Sequence, residues 1–342
     1  VAVQGKLCGK QLKNGQYSYY LDHCYLSVGQ EILPCNQILF YQTSDDDSIG
    51  QTLIVTGTVE LWKSASNDGN FDAKAFYESK KIDFQLKEAV VKNVYGAEDG
   101  FGEKIYRLRR KISGVYESCM STSDAGVLST MTLGEKNLLD AEVKQMYQKA
   151  GISHVLAISG LHISVIGMGL YKLLRKIKCS FLTSGIIAGT VIGGYGVMSG
   201  SGTSTMRAVI MFLILLSGQW IGSYDSLSAL GMSAIVILWD DPYLLWSAGF
   251  LLSFAAVLGI VAVGQTLIKI KKPFFHFTEN FLVSFAIQLA TVPLTAYFFY
   301  EVPVWSMFIN FFVLPVIGLL LFLGLLGGFL GLLSVRVAEA LF

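Results

Sequence analysis

The sequence predicts a small all-β domain followed by a polytopic α-helical membrane domain, and three observations carry that prediction. Residues 1–95 alternate apolar and polar side chains with a period of two and are rich in β-branched and aromatic types, the pattern of half-buried strands. The 26 Lys and Arg and the 25 Asp and Glu gather mostly before residue 152. Beyond it, apolar runs recur that approach the roughly 20 residues a helix needs to cross hydrocarbon. Formal net charge is only +1, which argues against a broadly basic nucleic-acid-binding surface and makes any phosphate contact a local one.

Five strand-like segments stand at residues 1–9, 16–28, 37–42, 53–62 and 81–95, separated by turn residues at 13–15, 45–50 and 64–70. Five short strands joined this way suit a closed barrel of the OB type, assigned here to residues 1–100. Tyr17, Tyr19, Tyr20 and Tyr25 crowd the second segment, with Tyr17 and Tyr19 on one face and Tyr20 on the other. Exposed rings on such a barrel stack against unpaired bases, the role considered for Tyr17 and Tyr19, while core filling competes for at least one tyrosine. Asp45, Asp46 and Asp47 repel phosphates and read as a solvated loop. The five cysteines show no Cys-x-x-Cys spacing, which argues against a zinc site. If the barrel lies outside the cell, a disulfide among Cys8, Cys24 and Cys35 is open, and the sequence does not choose the pair.

Residues 101–150 read as a helical connector. Ile105, Leu108, Ile112, Val115 and Cys119 recur at helical spacing opposite Arg107, Arg109, Arg110 and Lys111, giving an amphipathic helix with a basic face. That face (Arg107, Arg110, Lys111) suits anionic headgroups, docking on the barrel, or guidance of a phosphate backbone, and charge pattern alone does not rank these. Two further helices are predicted at 124–133 and 138–150, the second closed by Gly151 as a C-terminal cap.

Residues 151–342 form the membrane domain, with seven predicted spans at 152–174, 181–198, 208–222, 227–239, 243–267, 281–300 and 304–333. Arg175, Lys176 and Lys178 follow the first, and Lys269, Lys271 and Lys272 follow the fifth. The positive-inside rule then puts those loops in the cytoplasm and the barrel, Asp240, Asp241 and Glu301 outside. Pro293 and Pro315 interrupt apolar runs and predict kinks.

Residues 151–162 read Gly-Ile-Ser-His-Val-Leu-Ala-Ile-Ser-Gly-Leu-His, and this block resembles the signature of the ComEC family, bacterial channel proteins that pass single-stranded DNA across the cytoplasmic membrane. Further words follow in the family's order: Ser204-x-x-Arg207, Asp241-Pro242, Gly249-Phe250-x-Leu-Ser253-Phe254, Gln288 with Thr291-x-Pro293, and Asn310 with Pro315. Residues 67–72 resemble the family's Asn-Pro-Gly-x-Phe-Asp segment without its proline, and Leu133-Gly134-Glu135 stands where the family has Leu-Gly-Asp. The resemblance covers nearly the whole chain. It implies an OB domain outside the cell, a multi-pass domain in the bacterial cytoplasmic membrane, and single-stranded DNA as partner, beside membrane lipids, other competence proteins and a further copy of the chain. The chain opens on Val1 without a leading apolar segment and is expected to be a fragment. The family's metallo-β-lactamase-like nuclease domain is not within it, so no nuclease activity is assigned.

The residues that carry candidate chemistry are few. Ser159 and His162 stand three apart on one helix face and resemble the Gly-x-Ser-Gly setting of rhomboid-type intramembrane proteases, but there the histidine comes from another helix and alanine here replaces the first glycine. His154 and His162 lie too far apart to share a metal, and no carboxylate is near them in sequence. Ser159, His162 and Ser164 are candidates for lining a wet path, with hydrogen-bonded helix packing as the alternative. Arg207 is the only cation between Lys178 and Lys269, placed either to anchor a helix end at the interface or to meet passing phosphates. The expected function is a channel component for single-stranded DNA uptake in natural competence, with no catalytic residues, cofactor or metal. A small-solute transporter is the main alternative, and an intramembrane serine hydrolase a remote one.

Overall fold

The computed structural model describes residues 1–338 except 14, 30, 68–71, 137, 201, 202, 223, 265, 267, 269–275, 303, 335 and 337. The chain divides into two units, Val1–Lys111 and Ile112–Phe342. In the first, alternation sets the strands: β1 (Ala2–Lys13), β2 (Gln16–Val28), β3 (Glu31–Cys35), β4 (Gln37–Gln42), β5 (Thr52–Leu61) and β6 (Ile82–Tyr95). Their order is β1-β5-β6-β4-β2-β3, and β1 also pairs with β2, which closes five strands into a barrel and leaves β3 attached at the side of β2. One pairing, β4 with β6, is parallel and the others are antiparallel. The barrel is OB-like. Val3, Leu7, Tyr19, Leu21, Ile38 and Phe40 fill it with no exposed surface.

Three differences from the sequence reading have local causes. Strand β3 carries Pro34, which has no N–H to give a ladder and is confined to edges, so its sequence does not read as a strand. A short helix, α1 (Ala73–Glu78), is capped by Asp72, whose carboxylate accepts the Ala75 N–H at 2.9 Å. Strand β1 slips register against β2 between Leu7 and Gly9. That bulge reverses the inward phase and turns Lys10, 5% exposed, into the interior.

Cys24 and Cys35 stand opposite one another on β2 and β3, within the trio in which a disulfide was left open, while Cys8 is exposed. The resemblance at residues 67–72 falls largely outside the described residues.

Helix α2 (Gly100–Cys119) has the predicted amphipathic form with a different inner face. Within the first unit Glu103 and Tyr106 are buried, and Arg107, Arg110 and Lys111 are exposed. Ile112, Val115 and Tyr116 are buried within the second unit. There α3 (Thr122–Leu133) starts at Ser121, whose hydroxyl caps the Asp124 N–H, and ends at Gly134 with φ 73°. Next comes α4 (Ala141–Lys149), followed by Gly151 at φ 70°, the left-handed conformation expected of a helix-ending glycine.

The remaining helices are α5 (Gly160–Lys176), α6 (Phe181–Met198), α7 (Thr203–Ile221), α8 (Ser226–Asp240), α9 (Ala248–Leu258) continued by a π turn over Gly259–Gly264, α10 (His276–Phe299) and α11 (Ser306–Gly331). Among the described residues two helices are long and apolar enough to cross a membrane, Phe181–Met198 and Phe281–Phe299. Ser306–Val313 and Val316–Gly331, bent by 47° where Pro315 predicts a kink, make a third if taken as one span. Shorter apolar helices cover Ser204–Gly218, Ser226–Asp240 and Ala248–Gly264. Pro293 lies inside α10. The predicted first span is not continuous: a 3-10 turn at Ser153–Leu156 leads into extended backbone, and α5 begins only at Gly160. The Lys269, Lys271 and Lys272 loop lies outside the described residues.

Buried hydroxyls tie the second unit together. Tyr116 donates to the Gly324 carbonyl at 3.0 Å, Tyr195 donates to the Thr132 carbonyl at 2.8 Å, and Thr132 donates to Tyr116 Oη at 3.3 Å. In hydrocarbon or a dry core, hydroxyls need partners of this kind.

Candidate functional site

The first turn of α5 is where separated parts of the second unit meet. Ser159 is its N-cap, with φ −114° and ψ 172°, and its N–H donates to His162 Nδ1 at 2.9 Å. Histidine at the third helical position thus does what glutamate does in a capping box. Because Nδ1 accepts that N–H, the hydrogen-bond network assigns the proton of the neutral ring to Nε2. Ser159 Oγ also lies 2.7 Å from Nδ1. His162 is 1% exposed, and Nε2 has no partner among the described residues.

Helix α7 packs beside this turn. Arg207 is 6% exposed. A Cβ built on Gly160 would lie 3.5 Å from Arg207 Nη2, and Thr205 Oγ1 donates weakly to the Ile158 carbonyl at 3.5 Å. The other contacts of the guanidinium are soft: Met211 Sδ at 3.8 Å from Nη1 and the Phe254 ring centroid at 5.8 Å. Its Nε has no partner, and none of the ion pairs among the described residues involves it. Ser204 Oγ is 3.2 Å from Ser253 Oγ. Three sequence words far apart in the chain, at 158–162, 204–207 and 253–254, therefore converge.

Of the residues the sequence marks for a wet path, the fold joins Ser159, His162 and Arg207 and leaves out Ser164. Ser164 is exposed on the other side of α5, beside a shallow groove with Met168, Gly169 and Lys172. His154 is exposed on the 3-10 turn and shares no helix with His162. The remaining words have local work: Asp241 caps the turn at Pro242–Trp246 by accepting the Tyr243 N–H at 3.1 Å, and Gln288 Oε1 accepts the Ser306 hydroxyl at 2.7 Å.

On the barrel, Tyr19 corrects the sequence reading. It is fully buried, set edge-on to Phe40 with centroids 5.3 Å apart, and its hydroxyl donates to the Ser44 carbonyl at 3.2 Å, so no base can reach its ring. Tyr17 is half-buried, and the Arg110 guanidinium lies 5.2 Å from its ring centroid. The basic face is also partly engaged: Arg107 pairs with Glu103 at 2.8 Å and with Glu98 at 3.7 Å. Sequence reasoning missed a polar groove of about 420 Å³ beside β4 and β6, lined by Gln16, Tyr41, Thr43, Gln85 and Lys87. It missed as well the stack of Trp62 on Tyr77, 3.7 Å between centroids. The signal for both was the outward-facing aromatic and polar positions of the strands and of the segment joining β5 to β6.

An OB-like barrel followed by a helical unit with two to three long apolar helices defines the class of protein. The family model described as Competence protein matches residues 131–342, and the chain belongs to that family. It is 28% identical over 267 residues to ComE operon protein 3 of Bacillus subtilis, covering 78% of this chain and 34% of that protein. It is 26% identical over 278 residues to Recombination protein 2 of Haemophilus influenzae, covering 75% and 34%, and 31% identical over 212 residues to an uncharacterized protein of Aquifex aeolicus, covering 58% and 45%. The chain thus spans a third to under half of the length of these relatives. No solved structure matches it significantly.

Proposed function

We propose that the chain is the OB-like domain and part of the membrane channel of a protein that takes up single-stranded DNA during natural competence. The observation that carries this reading is the match of the Competence family model to residues 131–342, through the first turn of α5 and all the apolar helices. The barrel supports it. OB folds bind oligonucleotides on the face of their second and third strands, here β2 and β4, the side from which Gln16, Tyr41 and Thr43 line the polar groove. Deleting the gene in a competent strain is expected to abolish transformation, and normal DNA uptake after deletion would favour a small-solute transporter instead.

In this reading the helical unit crosses the cytoplasmic membrane several times, up to the seven spans of the sequence, with the barrel outside. A cysteine at the exposed Asp46 position, in a background whose native cysteines are serine, should react with a membrane-impermeant maleimide on intact cells. Labelling only after lysis reverses the orientation. Single-stranded DNA, membrane lipids and other competence proteins are the partners this arrangement calls for, and self-association of the chain fits it too.

The unit does no bond-breaking chemistry in this reading. The lone pair of His162 Nδ1 is engaged by the helix cap, and a serine nucleophile needs that lone pair as its base. Ser159→Ala keeps the backbone donor and should leave transformation within a few-fold of the parent. Complete loss at normal protein level would revive the hydrolase.

A further inference from the structure

We propose that the first turn of α5, Arg207 and His162 form a discrete subsite for one phosphodiester of the translocating strand. The inference rests on the uptake reading for the identity of the ligand, and on geometry for the site. The N–H of Gly160, the first residue of a 17-residue helix, has no acceptor within the helix, and the helix dipole adds positive potential there. That feature alone is common to all helices. Here two side chains more than nine-tenths buried add donors that have no partner among the described residues, Nε of Arg207 and Nε2 of His162.

His162 lies within that turn and Arg207 reaches its start from α7. Arg207 Nη2 sits 3.5 Å from the place where a Gly160 Cβ would be, so the guanidinium rests on the helix start, and His162 is the third residue of that helix. The tautomer matters. With Nδ1 accepting the Ser159 N–H, the ring presents Nε2–H as a donor and remains neutral. The donors proposed for the site are then the guanidinium, the imidazole N–H and the helix N–H. That set matches the oxygens of a phosphate monoanion, which accept several hydrogen bonds and donate none. A single cation with soft neighbours binds one phosphate at a time and without sequence preference, which suits a moving strand.

The test uses the full-length protein in nanodiscs and a fluorescent oligothymidylate read by anisotropy. Arg207→Gln should weaken binding about tenfold and lower the slope of log K against log salt by about 0.7, the value for one phosphate on a single strand. Arg207→Lys should fall between. His162→Glu separates site from scaffold, because glutamate is the usual capping-box residue at that position and keeps the helix start, while its carboxylate occupies the place of the anion. It should melt no lower than the parent and bind as weakly as Arg207→Gln. His162→Gln, which keeps an acceptor for the cap and a neutral donor, should bind nearly as the parent does.

Unchanged affinity and salt slope in both Arg207→Gln and His162→Glu would overturn the subsite. So would a parent Tm raised by phosphatidylglycerol over phosphatidylcholine discs, with the rise lost in Arg207→Gln and oligonucleotide binding unaltered, since the occupant would then be a lipid headgroup. If Arg207→Gln does not accumulate, the His162 pair decides. Failure here is distinct from failure of the uptake reading: deletion that abolishes transformation, with these variants transforming normally, sinks the subsite alone. Deletion without effect on transformation sinks the uptake reading.

Discussion

Lys10→Met is expected to destabilise the barrel unit by about 3–5 kcal/mol, the range for removing one partner from a buried ion pair. Lys10 Nζ donates to Asp45 Oδ1 at 2.7 Å and to the Asp47 carbonyl at 2.7 Å, and lies 3.5 Å from Glu103 Oε2. It also sits 4.5 Å from the centroid of Tyr106, whose hydroxyl donates to Asp45 at 2.9 Å. Lys10 and Glu103 are almost wholly buried, so methionine fills the volume but leaves Asp45 without the ammonium that bridges it and Glu103 with Arg107 alone. Amide exchange by local opening in β1 and in residues 45–51 should accelerate by about two to nearly four orders of magnitude, what that energy converts to. Restoring the charge balance with Asp45→Asn in the same chain, which leaves the Glu103–Arg107 pair intact, should recover most of the loss. Exchange in Lys10→Met equal to the parent would mean that the cluster is solvated and weak.

Acid provides a second reading of the same cluster. Burial opposes the charge on Glu103, but the Ile49 N–H at 2.9 Å, Arg107 and Lys10 favour it more strongly, and its carboxyl is held below the usual glutamate value. A depressed carboxyl contributes stability above its unfolded pKa and loses it as pH falls through the lower folded value. Lys10→Met raises the folded value and should flatten that part of the acid-unfolding curve.

The barrel strands were legible because alternation records a half-buried surface directly, and four of the five predicted segments reappear with ends shifted by no more than one residue. The first is longer than read, because β1 runs to Lys13 through its bulge. That bulge also hid Lys10: strict alternation from Val3, Leu7 and Gly9 points Lys10 outward, and only a one-residue slip turns it in. Tyr19 was ambiguous for the opposite reason, since a ring at an inward position and a ring awaiting a base look alike in sequence. In the helical unit the break before α5 was obscured by chemistry. Ser159-x-x-His162 is a capping box with histidine where the pattern expects glutamate or glutamine, so an apolar window read through it as one span. The individual words at 158–162, 204–207 and 253–254 were visible, whereas their meeting depends on how α5, α7 and α9 pack, which no local pattern encodes.

Gly167 and Gly169 illustrate that limit and give the last prediction. Both are small residues on one short stretch of α5, alike in sequence as places where helices pack closely or line a wet cavity. A Cβ on Gly167 would meet Phe212 Cζ at 2.6 Å and Ile192 Cγ1 at 2.8 Å, nearer than real Cβ atoms come, whereas one on Gly169 meets nothing within 4 Å. Phe212 and Ile192 are themselves buried, 5% and 0% exposed, so neither side chain swings away freely. Gly167→Ala should therefore force α5 from α6 and α7 and cost about 1–3 kcal/mol, the usual penalty of overpacking. Gly169→Ala adds a methyl to open space on a helix and gains up to about 1 kcal/mol in propensity. Thermal unfolding of the purified full-length protein in detergent should move in opposite directions for the two, and transformation should fall for Gly167→Ala alone. Equal melting of the two variants would show that α5 does not pack on Phe212 and Ile192 through Gly167.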